Sequence, residues 1–334
     1  MLDQVKMAMR VLFIGGTGII SSACSPLAVE SGIELYLLNR SKSQRAVPPG
    51  AKVLHADIRD RASVEAAIGD LKFDAVVDWI AFTPQHIQQC IDIFTGRTGQ
   101  FVFISSASAY QTPPSTLPVT ESTLLDNPFW EYSRNKIACE ELLVKTYREK
   151  KFPYTIIRPS HTYDRTLLPF DHGWTVVDRM RKGKPVIVHG DGSSLWVLTH
   201  HTDFAKAFVP LLGNSHAVGE AYHITSDELM SWNQIYQIVA KAAGVAEPKL
   251  VHVASETLAR WDPQWGPGLL GDKTNSMIFD NSKVKAAVPS FLCTTPFSRG
   301  AEEIISWYEE DPTRQVVDAK ADDLEDRLVE AFGK

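Results

Sequence analysis

The sequence predicts an α/β fold, a Rossmann-type doubly wound parallel sheet with a smaller C-terminal α/β substrate lobe. Three observations carry that prediction. Short apolar runs alternate with helical patterns through the first half of the chain. A glycine-rich turn, Gly15-Gly16-Thr17-Gly18-Ile19-Ile20, follows the first of those runs. A serine-rich strand end, Ser105-Ser106-Ala107-Ser108, and then Tyr132-Ser133-Arg134-Asn135-Lys136 follow in that order.

Residues 11–14, 34–38, 52–55, 75–78 and 101–105 read as strands. Each run is short, rich in β-branched or aromatic residues, and bounded by Gly, Asp or Pro. Residues 63–68, 85–94 and 132–150 carry helical periodicity, and 154–158 adds a sixth strand. Alternating strands and helices require crossover connections, hence a parallel sheet covered on both faces. Beyond Pro159 the pattern loosens. Residues 169–174 read as a loop and 186–198 as a hairpin about Gly190-Asp191-Gly192. Residues 201–212 read as a helix, 221–225 as a strand, and 231–243 as a helix capped by Ser231 with Gly244 just past its end. The Trp-, Pro- and Gly-rich stretch 260–275 reads as loop, and 322–332 as a charged helix. The expected division is a dinucleotide-binding domain over residues 1–163, with returning segments near 197–226, and a mainly substrate-binding lobe over 164–334.

Composition bounds the function. The 334 residues are 44% hydrophobic with a net charge of −6, so nothing global favours nucleic acid. Cys24, Cys90, Cys139 and Cys293 lie far apart and lack metal-ligand spacing, which suits reduced structural thiols. His200 and His201 beside Asp203 could suggest a metal, but adjacent side chains point different ways, and no metal is expected. No stretch is apolar and long enough to span a bilayer, and the expected location is cytoplasmic.

The motifs carry chemistry. Gly15 permits the tight turn after the strand, and Gly18 lets the backbone approach a pyrophosphate at a helix N-terminus. The turn from Thr17 through Ile19 and Ile20 is the expected phosphate cradle, with Ser21 at the third glycine position. After the second strand an NAD site usually places an acid; here stand Asn39, Arg40, Ser41 and Lys42. Arg40 would pair with a 2′-phosphate, so NADP is favoured over NAD. Asp57 and Ile58, after the third strand, are placed to meet adenine. Tyr132 and Lys136 share one helical face, so the ammonium is expected to lower the phenol pKa and ready it for proton transfer. Ser106 would hydrogen-bond the reacting oxygen, whereas Ser105 and Ser108 read as structural.

These motifs, with Ala56-Asp57-Ile58-Arg59-Asp60, Ile157-Arg158-Pro159-Ser160-His161-Thr162-Tyr163 and Gly190-Asp191-Gly192-Ser193, resemble the extended short-chain dehydrogenase/reductase family, also called the NAD-dependent epimerase/dehydratase family, over about 300 residues. The resemblance implies a catalytic triad of Ser106, Tyr132 and Lys136, with Lys136 also on the nicotinamide ribose. It implies Ala81 under the cofactor, the backbone of Pro159 and Ser160 at the nicotinamide amide, and His161 facing substrate. The C-terminal half looks most like chloroplast stem-loop-binding proteins and their bacterial relatives.

Three departures from the family pattern shape the functional expectation. Dehydratases place Asp-Glu after the catalytic hydroxyl, where this chain has Ala107-Ser108. The family's diphosphate-binding arginine is Trp196 here, with Arg165 or Arg179 as conceivable replacements. The acid after the second strand is absent. The reading is an NAD(P)-dependent oxidoreductase or epimerase acting on a sugar-like or other polyhydroxylated carbonyl or alcohol without a nucleotide handle. Trp79, Phe82, Trp130, Trp174 and Trp196 are candidates for a ring-stacking pocket, with Phe82 and Trp196 expected on substrate. The alternatives are a nucleotide-sugar 4-epimerase holding NAD and an RNA-binding protein on a dehydrogenase fold. A small-molecule substrate is the expected partner, and a homodimer is compatible with the family.

Overall fold

A computed structural model describes residues 8–40 and 45–333. Ser41 and Lys42, two of the residues expected to read the cofactor, lie outside these. In chain order the first half runs β1 (Arg10–Ile14), α1 (Ser21–Glu30), β2 (Glu34–Asn39), β3 (Lys52–His55), α2 (Arg61–Ile68), β4 (Ala75–Asp78), α3 (Pro84–Phe94), β5 (Phe101–Ile104), α4 (Glu131–Lys150) and β6 (Tyr154–Pro159). It continues through β7 (His161–Tyr163), α5 (Trp174–Arg181), β8 (Val186–His189), β9 (Leu195–Trp196), β10 (Leu198–His200), α6 (His201–Phe208) and β11 (Ala221–Ile224). The rest comprises β12 (Met230–Ser231), α7 (Trp232–Ala242), β13 (Leu250–Val253), α8 (Ser255–Trp261), α9 (Gly266–Gly268), α10 (Ser282–Ala287), α11 (Phe297–Glu309) and α12 (Ala319–Phe332).

Among the described residues the main sheet has seven strands in the order β11-β6-β5-β4-β1-β2-β3, and every pairing is parallel. Strand order reverses between β1 and β4, which opens a crevice at the carboxyl ends of those two strands. Alternate residues of each strand feed opposite cores. Val11, Phe13, Leu35 and Leu37 pack with Phe204 and Phe208 of α6. Leu12, Ile14, Tyr36 and Leu38 share a core with Ile87 and Ile91 of α3 and with Cys139 and Leu143 of α4. Each fully buried Leu, Ile or Phe contributes roughly 1.5–3 kcal/mol. The apolar runs are continuous because both faces are covered.

The C-terminal elements build a second core in which Trp174, Val177, Ile235, Val239 and Ile304 are buried together. The α7 start is as expected: Ser231 accepts from Gln234 N at 3.2 Å, Gln234 Oε1 accepts from Ser231 N at 2.8 Å, and Gly244 ends the element at φ 79°. Pro210 turns the end of the 201–212 helix into a 3-10 turn, Val209–Leu211.

Two expectations fail. Residues 186–198 do not form a hairpin. The chain does turn at Gly190 and Gly192, with φ of 61° and 70°, but β8 pairs in parallel with β13 and β9 pairs with β12. The turn is docked on α7 instead: Asn233 N donates to Gly192 O at 2.9 Å, and its side-chain amide donates to Asp191 O at 3.1 Å. Residues 260–275 are not plain loop. They hold α9 and a π-helical turn, Leu269–Lys273. Gly and Pro disfavour a helix there, but tertiary anchors override propensity. Asn127 Nδ2 donates to Gly271 O at 2.7 Å, and Trp232 Nε1 donates to Lys273 O at 3.2 Å. A Cβ at Gly271 would come within 2.8 Å of Trp130 Cβ, so that close approach needs glycine. The helix α5 likewise begins at the edge of a stretch expected to be loop.

Arg179 fastens the C-terminal helix. Its guanidinium is fully buried, yet it pairs with the carboxylate of Asp322 and lies 2.8 Å from Asp326 Oδ1 on α12. Its Nε donates to Pro185 O at 3.0 Å and lies 3.9 Å from Glu325 Oε2. Glu325 is itself buried and accepts from Ile187 N at 2.9 Å. Removing the cation leaves Glu325 enclosed without its counter-charge. Arg179→Ala is therefore expected to lose about 3 kcal/mol of stability, read from the urea midpoint, and to speed proteolysis of α12. A loss below about 0.5 kcal/mol, the range of a neutral surface change, would show that α12 is held otherwise.

Candidate functional site

The glycine turn is built by strain that only glycine relieves. Gly15 and Gly16 have φ of 100° and 92°, and a Cβ at Gly16 would lie 2.7 Å from Leu37 Cδ2. Ser25 Oγ donates to Gly16 O at 2.7 Å, and Ser21 Oγ accepts from Gly18 N at 2.8 Å. Ser21 thus ties the turn to the helix it opens. No side chain caps α1 at Ile20, so the helix N-terminus beside the turn keeps its affinity for an anion. Thr17, Gly18, Ile19 and Ile20 remain at least partly exposed. This cradle fits a dinucleotide pyrophosphate.

At the ends of β2 and β3, Arg40 is 3.5 Å from Asp57, with the Arg40 side chain exposed and that of Asp57 half-buried. The backbone N–H of Arg59 donates to Asp57 at 3.0 Å and, with Arg40 nearby, keeps that carboxyl below its usual range. Asn39 O accepts from Ala56 N at 3.2 Å, and Ile58 is buried beneath the turn.

The crevice leads from this end into a cavity of about 330 Å³. It is lined by Ile20, Phe82, Ser106, Tyr132 and Lys136, and by Pro159, Ser160, His161 and Trp196, so residues scattered over nearly 180 positions meet there. A larger groove of about 810 Å³ flanks α4 near Glu141 and Lys145, away from the glycine turn and from Tyr132.

Lys136 is 2% exposed and donates to Ala81 O at 2.7 Å and Ile104 O at 2.8 Å. Its Nζ also stands 4.8 Å from the ring centres of Phe82 and Phe103. Burial lowers its pKa to about 8, and the Asp78 carboxylate limits the fall. Ser106 Oγ is 2.9 Å from Ser108 Oγ, which accepts from Ser133 Oγ at 2.8 Å. Asn127 donates to Ser108 O at 2.8 Å, so the serine strand end and the π-helical turn share one amide. Ser105 Oγ donates to Glu140 at 2.5 Å, and Glu140 pairs with buried Arg158 at 2.6 Å, consistent with a structural Ser105.

Tyr132 corrects one expectation. Burial pushes its phenol up to about 12, where a lowered value was expected. Hydrogen bonding to Ser106 pulls the other way, and the charge of Asp272 adds to the rise. The Lys136 ammonium is committed to two carbonyls and sits 5.6 Å from the Tyr132 ring centre, so it does not offset the desolvation.

The family profile described as "NAD dependent epimerase/dehydratase family" matches residues 11–225, well over half the chain. The chain belongs to that family. Its motifs and parallel sheet are those of the extended short-chain dehydrogenase/reductase kind. Among relatives, it is 27% identical over 256 residues to "chloroplast stem-loop binding protein of 41 kDa b" of Arabidopsis thaliana, covering 73% of this chain and 65% of that protein. The chain thus spans slightly less than two thirds of that relative. It is 25% identical to a 2'-dehydrokanamycin reductase of Streptomyces kanamyceticus, covering 78% of each chain. A UDP-glucose 4-epimerase of Bifidobacterium longum, solved with NAD+ and UDP, shares the fold at TM-score 0.73 and 18% identity, covering 92% of this chain and all of that one. No helix among the described residues is long and apolar enough to cross a membrane.

Neither replacement cation reaches the cavity. Arg179 is consumed by α12, and Arg165 lines a separate groove with Arg45 and Thr166. Trp196 is 4% exposed and packs 5.8 Å from the Trp232 ring, which fixes its indole as a wall. Trp174 is not part of the pocket; it stacks on Tyr308 in the second core. His161 is held neutral, its pKa lowered to about 4 by burial and by the Lys273 charge, and its Nε2 is buried without a partner.

Motif reading missed Asp272, Met277 and Phe279, which also line the cavity. Asp272 sits on the π-helical turn, in a stretch with no periodic signal, and only the fold brings it near Tyr132. Burial raises its carboxyl from 3.8 to about 6. Between those values the folded state holds the proton and the unfolded state does not, so stability falls as pH rises from about 4 to 6. The cost is then constant above 6. Asp272→Asn is expected to gain on the order of 2 kcal/mol at pH 7.5 and to match wild type at pH 4. Denaturant melts at both pH values check this; an equal effect at both would place the carboxylate in solvent.

Proposed function

We propose that this enzyme is an NAD(P)-dependent oxidoreductase or epimerase, favouring NADP, that acts on a sugar-like or other polyhydroxylated carbonyl or alcohol without a nucleotide handle. The observation that carries the reading is the meeting of Ser106, Tyr132 and Lys136 in one enclosed cavity at the carboxyl ends of the parallel strands. Residues 1–163 would hold the cofactor, and 164–334 would mainly shape the substrate side.

When bound, the nicotinamide gives or takes the hydride at the reacting carbon. The chain handles the proton. Tyr132 Oη donates it to the carbonyl oxygen during reduction and recovers it in the reverse direction. A phenol held near 12 stays protonated at neutral pH, which suits donation. Ser106 would hydrogen-bond the same oxygen, and Lys136, tied to Ala81 O and Ile104 O, would turn its remaining N–H to the nicotinamide ribose. The aromatic walls exclude water from the exchange. Gly15 to Ile20 would cradle the pyrophosphate, Asp57 and Ile58 would meet adenine, and Pro159 and Ser160 would face the nicotinamide amide. Phe82, His161 and Trp196 would contact substrate. The 2'-dehydrokanamycin reductase among the relatives supports a reductase acting on a substrate that is not nucleotide-linked.

Tyr132→Phe removes the transferable proton and little contact area. Turnover is expected to fall at least 100-fold with dinucleotide affinity nearly unchanged; normal turnover would remove Tyr132 from the mechanism.

The cofactor reading rests on Arg40, which is exposed and can exchange its half-buried partner Asp57 for a stronger anion. Arg40→Ala is expected to weaken NADP by about 2 kcal/mol and to leave NAD nearly unchanged. Titration of both dinucleotides against both proteins measures this. Equal losses would show that Arg40 does not read the 2′-phosphate.

A further inference from the structure

The cavity holds a carboxylate that no side chain among the described residues pairs with directly. Asp272 is enclosed on the π-helical turn, and among the described residues its oxygens receive no hydrogen bond. They nevertheless open to the cavity, since the residue keeps partial exposure within that enclosure. Lys273 offsets only part of the burial penalty, because its Nζ also lies 3.4 Å from Asp171 Oδ1, and Asp171 in turn accepts from Trp265 Nε1 at 2.8 Å. Among the described residues the one lysine lining the cavity, Lys136, donates to the carbonyls of Ala81 and Ile104. An unpaired carboxylate in such surroundings is costly, and an opposite charge supplied by a ligand removes the cost.

The walls point the same way. Phe82, Trp130, Tyr132, Trp196 and Phe279 surround the cavity, with the Trp130 and Tyr132 ring centres 4.8 Å apart. Aromatic faces attract cations, most strongly when desolvated, and repel an anion such as a diphosphate. Trp196 is 4% exposed and lends the cavity an apolar ring wall with no charge of its own. A carboxylate with no hydrogen-bond partner among the described residues and a cage of rings together describe a site for a polyhydroxylated ring bearing an ammonium group.

We propose that the substrate of this enzyme is a cationic amino sugar or aminocyclitol, its ammonium paired with Asp272 and its ring set against Trp130 and Trp196. The proposal rests on the reading of this cavity as the substrate site and adds the substrate's charge to it. Asp272 is then the residue that selects amine over amide or hydroxyl at one ring position.

Three probes of one skeleton separate charge from shape: D-glucosamine, N-acetyl-D-glucosamine and D-glucose, titrated into the full-length protein and read by tryptophan fluorescence and calorimetry. Glucosamine is expected to bind at least tenfold more tightly than the other two. Asp272→Asn, a near-isosteric change expected to fold at least as well as wild type, should erase that preference and leave N-acetyl-D-glucosamine unchanged. Equal binding of the three, binding of none, or an undiminished preference in Asp272→Asn would each overturn the proposal. A parallel NADPH titration keeps the two readings apart. Dinucleotide binding without amine preference would sink the substrate class alone. Amine preference without dinucleotide binding would sink the oxidoreductase reading instead.

Discussion

The buried ammonium of Lys136 is the constraint on which the site depends. An ammonium moved out of water costs several kcal/mol unless donors and counter-charges are satisfied. Here two carbonyls, Ala81 O after β4 and Ile104 O at the end of β5, receive it at 2.7 and 2.8 Å. Those two strands are neighbours in the sheet, so one lysine pins α4 across both of their ends. Tyr132 stands one turn earlier on the same helix and is carried to the mouth of the crevice. Ser106, two residues past Ile104, is brought to meet it. The juxtaposition of Tyr132, Ser106 and Lys136 thus follows from satisfying one buried charge.

A second constraint shapes the far wall. The arginine that the family commonly sets against a diphosphate is replaced by Trp196, whose ring packs toward Trp232. Arg179 is spent on joining α12 to the second core. What the cavity retains is one carboxylate among aromatic rings, Asp272, at an energetic cost visible in its raised pKa of about 6. Strain and unpaired charge persist in a fold where function uses them.

Much of the fold was legible because the signals were local. Parallel strands buried on both faces must be apolar throughout, and residues 11–14 or 75–78 show that directly. The turn at Gly15 and Gly16 was legible because positive φ demands glycine. The Tyr132 and Lys136 pair was legible because four residues make one helical turn. The second half was less so. Residues 186–198 have the turn chemistry of a hairpin, but each arm found a better partner, β13 or β12, far along the chain. Residues 260–275 have the composition of a loop and become helical only because Asn127 and Trp232 anchor the carbonyls of Gly271 and Lys273.

The sequence by itself determined the class of fold, the glycine turn after the first strand and the one-turn spacing of Tyr132 and Lys136, the pair proposed to handle the proton. Each of those depends on spacing within a single strand, turn or helix. Tertiary structure alone decided the electrostatics of the site. Spacing suggested that Lys136 would acidify Tyr132, yet burial outweighs a cation already engaged by Ala81 and Ile104. It also decided that Asp272 belongs to the cavity, 140 positions after Tyr132. Desolvation and charge pairing are properties of three-dimensional surroundings, and no period along the chain encodes them.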